Sequence, residues 1–456
     1  MIEEKVMNER ELNAELLLGL LKSGDVEDFR EEFLAQHPYD QATFYAKAEH
    51  EIRQQLYQYL SPKEMADIFE AIELDDDEYE DLFKEMNVHY AADLLAAMYT
   101  DDAVDILNKL NKDQVASYLT IMDKDSARQI KDLLHYEEYT AGSIMTTEFV
   151  SIPENSTVRS AMNILRNAAP NAETIYYVFV VDEDKHLSGI VTLRDLIISD
   201  EDTLIKSIMN ERVVSVSVGE DQEEVARMIK DYDFLAMPVI DFQNHLLGII
   251  TVDDIIDVLD EEASDDYSKL AAVSDMDTFD RGPFTAAKKR LPWLILLTFL
   301  GMLTANLMGM FEATLDKVAL LAVFIPLIAG MAGNSGTQAL AVAVRGIATG
   351  DIEEESKMKL LFREAGTGLI TGVVCGIVVV GLVYFWKGEL LIGMLVGTAV
   401  TSSIFVATLA GSFIPLLIHR LKIDPAVASG PFITTLNDII SILIYLGLAT
   451  TFLNQL

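Results

Sequence analysis

The sequence predicts a multidomain membrane protein: an N-terminal all-α helical domain, an α/β tandem repeat, an acidic connecting helix and a five-helix all-α transmembrane domain. Three observations predict it. Charge divides the chain: of 73 acidic and 34 basic residues, residues 1–283 hold 63 and 23, a net of −40, and residues 284–456 hold 10 and 11, a net of +1. Hydrophobic stretches of spanning length recur at about 292–311, 318–344, 365–385, 390–418 and 432–454. Between the two regimes, residues 144–200 and 208–260 repeat each other. The expected division is 1–138 for the helical domain, 139–200 and 201–258 for the two repeats, 259–283 for the connecting helix and linker, and 284–456 for the membrane domain.

In the first domain, residues 10–135 set apolar against acidic positions at helical spacing, as at Leu94, Leu95, Met98, Val104, Ile106 and Leu107. Ser61 followed by Pro62 and Glu64 reads as a helix start with a capping box. The opening Met1-Ile2-Glu3-Glu4-Lys5 lacks a basic region followed by an apolar core, so no cleavable signal is expected and the N-terminus is expected to stay cytoplasmic. A soluble surface this acidic repels nucleic acid and concentrates cations. The single cysteine, Cys375, lies within a span and cannot form an intrachain disulfide.

The repeat is internal and ordered. Val181 to Ile197 aligns with Ile240 to Ile256 at an offset of 59, and Ile144-Met145 pairs with Ile208-Met209 at an offset of 64. Each unit reads as strand, polar turn, strand and then a helix starting near Thr192 or Thr251. His186 and His245 occupy the turns and read as surface residues. The pattern, carried by both copies, resembles a tandem pair of CBS domains. That resemblance implies a regulatory module of a kind that often binds adenine nucleotides, with ATP the expected ligand here and Tyr177, Arg194, Asp195 and Phe234 at the matching contact positions. The same residue types also serve as core packing (Tyr177, Phe234) and helix capping (Asp195).

Beyond the repeat, Asp253 to Tyr267 is dense in carboxylates. On a helix, Asp254, Asp257, Glu261 and Asp265 share one face through spacings of three and four. Like charges so placed repel, and divalent cations relieve the repulsion; Lys269 and Lys288 to Arg290 are the nearby neutralising groups.

The five spans place the termini on opposite sides. Lys288, Lys289, Arg290, Arg345, Lys357, Lys359, Arg363, Arg420 and Lys422 fall on the side of the soluble domains, and only Lys317 and Lys387 on the other. The positive-inside rule therefore gives N-terminus in and C-terminus out. Gly368, Gly372 and Gly376 recur every four residues in the third span and permit close helix approach. Pro326 and the run from Gly330 to Gln338 are expected to break the second span. The last span carries Asp438 with no Lys or Arg later in the chain. An ionised Asp at mid-bilayer costs at least ~2.5–3.5 kcal/mol, so it needs water, a partner or a bound cation. These two polar interruptions are expected to face each other.

Read together with Gly333-Asn334-Ser335-Gly336-Thr337-Gln338, Asp424-Pro425-Ala426, Gly430-Pro431 and Thr434-Thr435-Leu436-Asn437-Asp438, this order of domains resembles the MgtE family of magnesium channels over essentially the whole chain. The resemblance implies a homodimer in the plasma membrane, with its soluble domains cytoplasmic and a pore on the two-fold axis. Asp438 of each subunit would hold a hydrated Mg2+, beside Asn437, Thr434, Thr435, Gly333 and Asn334. It implies cytosolic Mg2+ sites at Asp101 and Asp105, at Glu223, Asp233, Asp254 and Asp257, and at Glu262, Asp265 and Asp266 with Asp424. The implied activity is Mg2+ import down its electrochemical gradient, closed by feedback from cytosolic Mg2+. Thr337 departs from the family pattern, where Asn is common, and Leu74 to Glu80 reads as an expansion of the helical domain.

Other classes fit less well. A chloride channel needs anion sites at depth and carries its CBS pair after the membrane domain. No His-Glu-x-x-His, Gly-x-Ser-x-Gly or cysteine cluster supports an enzyme, and the membrane half holds one histidine, His419, at a span end. A non-conducting Mg2+ or nucleotide sensor is the remaining alternative.

Overall fold

Polar caps and short amphipathic runs divide the N-terminal residues into ten helices, from Ile2–Ser23 to Lys124–Leu133, among the described residues. The protein is seen here in a computed structural model that describes residues 2–72, 74, 76–273, 282–350, 352, 356–428 and 430–452. The chain falls into two units, Met1–Leu259 and Asp260–Leu456.

Ser61 and Glu64 form the expected capping box, and Pro62 opens the helix Pro62–Glu70. Glu64 also accepts from Arg30 at 2.6 and 3.1 Å. The Arg30 guanidinium holds its carboxyl down at about 2. One residue thus starts one helix and anchors it to another, Val26–Leu34. Buried aromatic rings of Phe29, Phe33, Tyr45, Phe69 and Phe83 fill the space between helices. The acidic stretch at Leu74 to Glu80 is built into the domain, since it opens the helix Asp76–Glu85 and buries Tyr79, whose hydroxyl donates to the Ile72 carbonyl at 2.8 Å. Asp75 within it lies outside the described residues.

The tandem repeat is a structural repeat. Strands β1 (Ser151–Pro153), β2 (Tyr177–Val181) and β3 (Leu187–Thr192) form one sheet in that order, and β4 (Val216–Ser217), β5 (Ala236–Ile240) and β6 (Leu246–Thr251) form the other. Tyr177 pairs with Thr192 and Ala236 with Thr251, and both hairpins carry a register shift at the equivalent place, Val180/Val181 and Val239/Ile240. The turns meet. His186 and His245 stack at 4.6 Å between ring centres, and each Nδ1 is held by a carboxylate four residues earlier, Asp182 at 2.9 Å and Asp241 at 2.8 Å. As expected of surface residues both side chains keep about one-third of their area exposed, and they also join the two repeats. Turn sequence alone could not show that, because the contact needs the repeats docked.

Asp254 receives the Thr251 N–H at 3.2 Å, and the helix Val252–Leu270 runs on from there. Position 259, the expected start of a separate connecting helix, is therefore mid-helix; no Gly or Pro interrupts the run. Residues 274–281 of the expected linker lie outside the described residues.

Among the described residues, five helices are long and apolar enough to cross a membrane: Ala286–Gly309, Ala319–Ala348, Lys357–Lys387, Leu390–Arg420 and Gly430–Thr451. The second span is not broken where expected. Pro326 sits in the first turn of a continuous helix, Ile325–Ala348, where its missing N–H costs no helical bond, and a 3-10 helix, Ala319–Phe324, precedes it. The third and fourth spans touch along the predicted glycines: a Cβ on Gly372 would lie 2.8 Å from the Thr401 carbonyl oxygen. Gly372→Leu is expected to destabilise the membrane unit by about 1–3 kcal/mol through overpacking. Gly381→Leu, which meets nothing within 4 Å, serves as the silent control. Unfolding midpoints in detergent check this; equal midpoints for the two variants would remove the glycine contact as a packing determinant.

Candidate functional site

Burial without a counter-ion marks the first centre. Asp101 on the helix Thr100–Lys109, Glu173 in the loop before β2, and Asp254 in the first turn of Val252–Leu270 bring carboxylate oxygens within 4.8 Å of one another. Asp101 is 6 % exposed, and its Oδ1, like Oε2 of Glu173, is buried without a hydrogen-bond partner among the described residues. No Lys, Arg or His pairs with any of the three among the described residues. Burial raises all three acids and the neighbouring Asp102. Glu173 is pushed to about 7 by desolvation and then by Asp254, and Asp254 to about 6 by desolvation despite its Thr251 bonds. Asp101 and Asp102 are raised for the same first reason, with neighbouring carboxylates adding to it. Hard oxygen donors with unmet bonding capacity fit a hard divalent cation such as Mg2+ or Ca2+.

Sequence reasoning had Asp101 and Asp254 but missed Glu173, a loop residue with no spacing signal. Asp105 and Asp257 lie one turn further along their helices and are exposed. Glu223 and Asp233 are at opposite ends of the helix Gln222–Tyr232, Glu223 3.8 Å from Arg227 and Asp233 forming a left-handed C-cap. The protomer does not draw these four into the buried cluster.

A second centre lies in the other unit. Lys269 reaches both Asp265, on its own helix, and Asp424, which also accepts from the Ala426 N–H at 2.8 Å. Burial lowers the Lys269 ammonium, but its two carboxylate partners outweigh that and raise it. Asp266 is pushed to about 6 by burial and by Asp424. Three carboxylates therefore share one cation, and Glu262 adds to the repulsion at Asp266.

The third centre is in the last span. The helix Gly430–Thr451 packs on Ile325–Ala348 along the two polar segments, as expected. A Cβ on Gly333 would lie 2.9 Å from Thr434 Cγ2, and the hydroxyls of Thr337 and Thr434 are 3.2 Å apart. Asn437 is 1 % exposed against Gly336, with both amide atoms buried and, among the described residues, unpartnered. Thr435 turns its hydroxyl back to the Pro431 carbonyl at 2.8 Å, and Asn334 is exposed. Asp438 is half-buried; among the described residues its carboxylate has no hydrogen-bond or ion-pair partner.

The nucleotide candidates lie in different surroundings. Tyr177 packs with the cluster between the repeats, whereas Phe234 belongs to another core and stacks on Tyr232 at 5.3 Å. Arg194 is exposed. Asp195 closes a capping box with Thr192, accepting its N–H at 3.1 Å and its hydroxyl at 2.6 Å. Asp195 and Asp254 are equivalent by the 59-residue offset, and among the described residues Asp254 is the one that joins a cluster of three carboxylates.

Comparison with known proteins agrees with this layout. Residues 325–448 match the family model described as a divalent cation transporter, 36–139 the MgtE intracellular N domain, and 141–201 and 205–261 the CBS domain. The chain is 56 % identical over 438 residues to the magnesium transporter MgtE of Enterococcus faecalis, covering 96 % of each, and 39 % identical over 440 residues to that of Bacillus subtilis, covering 96 % of this chain and 97 % of the relative. Among solved structures it resembles the soluble part of a magnesium transporter (59 % identity, TM-score 0.55, 56 % of this chain and 99 % of that one). It also resembles the cytosolic domain of the Mg2+ channel MgtE in complex with ATP (36 %, TM-score 0.51, 54 % and 99 %). With near-complete coverage by such relatives and the same order of helical, CBS and membrane domains, the chain belongs to the MgtE family of magnesium transporters, a family of transporters and not of enzymes.

Proposed function

We propose that the protein is a homodimeric channel that admits Mg2+ to the cytoplasm down its electrochemical gradient and is closed by cytosolic Mg2+. Asp438 carries the reading: a carboxylate inside a span, without a protein counter-ion among the described residues, is suited to hold a hydrated divalent cation. A half-exposed carboxylate on the side of one protomer would face lipid unless a second copy covers it, which supports a dimer with the path between subunits. Asn437 shapes that path from behind through its contact with Gly336, and Thr434 does so through Gly333 and Thr337. The proposed layout is residues 1–138, 139–200, 201–258 and 259–283 on the cytoplasmic side of a plasma-membrane domain at 284–456.

Feedback follows from the acidic centres. Asp101, Glu173 and Asp254 repel one another when ionised, as do Asp265, Asp266 and Asp424; Mg2+ at either place removes that repulsion. Asp105, Glu223, Asp233, Asp257 and Glu262 supply further outer carboxylates. Such ions favour the closed arrangement only in so far as they bind it more tightly than the open one. ATP at the CBS pair, contacting Tyr177, Arg194, Asp195 and Phe234, is proposed as a modulator on the strength of the ATP-bound relative.

Uptake into proteoliposomes holding a Mg2+-sensitive dye tests the reading, with Mg2+ varied on the soluble-domain side. Flux that falls as Mg2+ rises there supports a self-regulated channel. Absence of flux from an intact dimer would leave the non-conducting sensor.

Protons should compete with Mg2+ at the buried cluster. The folded-state values of Glu173 and Asp254 lie above those of ordinary carboxyls, so the folded protein holds protons that the unfolded chain has released. Stability without Mg2+ therefore falls as pH rises from about 4 through about 7, and levels off above. The gain in unfolding midpoint on adding Mg2+ is expected to be small at pH 5 and large at pH 8, with Glu173→Gln flattening the difference. A gain independent of pH would exclude these carboxylates as ligands.

A further inference from the structure

The ion path uses none of the basic residues at the ends of the second and third spans. Between those ends lies a cavity of about 570 Å3 lined by Val342, Arg345, Gly346, Lys359, Leu360 and Arg363, among others, with three cations and no carboxylate in its described lining. Lys359 and Arg363 are four apart on one helix and so share a face. Arg363 rests on the buried Glu364 at 3.1 Å, which leaves Arg345 and Lys359 without an ion-pair partner among the described residues. Leu360 and Ile352 floor the cavity as part of an apolar cluster with Ala343 and Leu416.

The surroundings specify what kind of anion fits. Phe362 is 73 % exposed and Met358 59 %, so bulky apolar side chains stand on the same helix turns as the cations. The helix Lys357–Lys387 has 31 residues, about 46 Å at 1.5 Å per residue, against a hydrocarbon layer of about 30 Å. Its first turns therefore reach the headgroup layer. Cations around a cavity with apolar groups beside it match a phosphodiester with acyl chains attached better than a free anion.

We propose that this cavity binds the phosphodiester headgroup of an anionic phospholipid, with Arg345 and Lys359 as its principal ligands and Phe362 and Met358 against the acyl chains. The phosphate relieves repulsion among the three cations and holds the second and third spans together at this end. The leaflet would be the cytoplasmic one under the orientation proposed above; the site itself stands independently of the transport reading.

The test uses the full chain in a neutral detergent with added phosphatidylglycerol, phosphatidylcholine or inorganic phosphate. Phosphatidylglycerol is expected to raise the unfolding midpoint of the wild type by at least ~2 °C more than phosphatidylcholine does. Arg345→Gln/Lys359→Gln should lose most of that excess, and Lys288→Gln/Lys289→Gln, which removes the same charge elsewhere, should keep it. If the first pair fails to fold, Lys359→Gln alone carries the comparison. Three results would overturn the proposal: no excess in the wild type; an undiminished excess in the Arg345/Lys359 variants; or an equal rise with inorganic phosphate, which would mark a free-anion site.

Discussion

Asp438→Ala is expected to reduce Mg2+ flux in proteoliposomes by at least ~100-fold, which corresponds to a loss of about 2.7 kcal/mol at the limiting step. A carboxylate and a divalent ion about 5 Å apart attract by roughly 6–7 kcal/mol at an effective dielectric near 20, so the required loss is a fraction of the direct interaction even after hydration is counted. Asp438→Asn keeps the shape and removes the charge, and should fall nearly as far. Asp438→Glu keeps the charge on a longer arm and should retain measurable flux. No folding defect is expected to imitate the effect, because removing a charge from a span favours insertion. Wild-type uptake by both Asp438→Ala and Asp438→Asn would remove Asp438 as the residue that holds the ion.

Joint replacement of Glu262, Asp265 and Asp266 by Ala should leave flux at high cytosolic Mg2+ close to flux at low Mg2+. In the native protein, Lys269 bonds to Asp265 and Asp424 while Asp266 stands beside Asp424 with its pKa pushed to about 6. One ammonium does not neutralise that group, and divalent ions complete what it leaves undone. After the replacement only the Lys269–Asp424 pair remains, already balanced, so Mg2+ has little left to bind there. A tenfold ratio of flux between low and high Mg2+ reflects about 1.4 kcal/mol of differential binding, and the triple variant should bring that ratio below about two. Inhibition unchanged by the triple replacement would move the sensor away from the carboxylates around Lys269 and Asp424, towards Asp101, Glu173 and Asp254.

Local pattern carried the succession of helical domain, repeat and apolar spans, because charge, hydropathy and a 59-residue offset are properties of the chain before it folds. The capping box at Ser61 and Glu64 was legible for the same reason: both partners lie within one turn. Where sequence signals misled, a neighbour was involved. Pro326 and the glycines after it read as a break, but Pro326 falls in a first turn and the polar run packs against the last helix.

Asp438 was identifiable from sequence because no apolar span carries an ionised residue without cause, and composition alone exposes the anomaly. What composition left undecided is that the adjacent Asn437 is buried against Gly336 while Asp438 keeps its carboxylate unpartnered among the described residues; a helix turns about 100° per residue, and only the docking of the second span says which direction is inward. Likewise, tertiary structure alone recruits Glu173 to Asp101 and Asp254, joins Lys269 to Asp424 and stacks His186 on His245. Each of these contacts links segments distant in sequence. Their strength depends on burial and on distances of a few ångströms, which the packing of elements sets and no local pattern encodes.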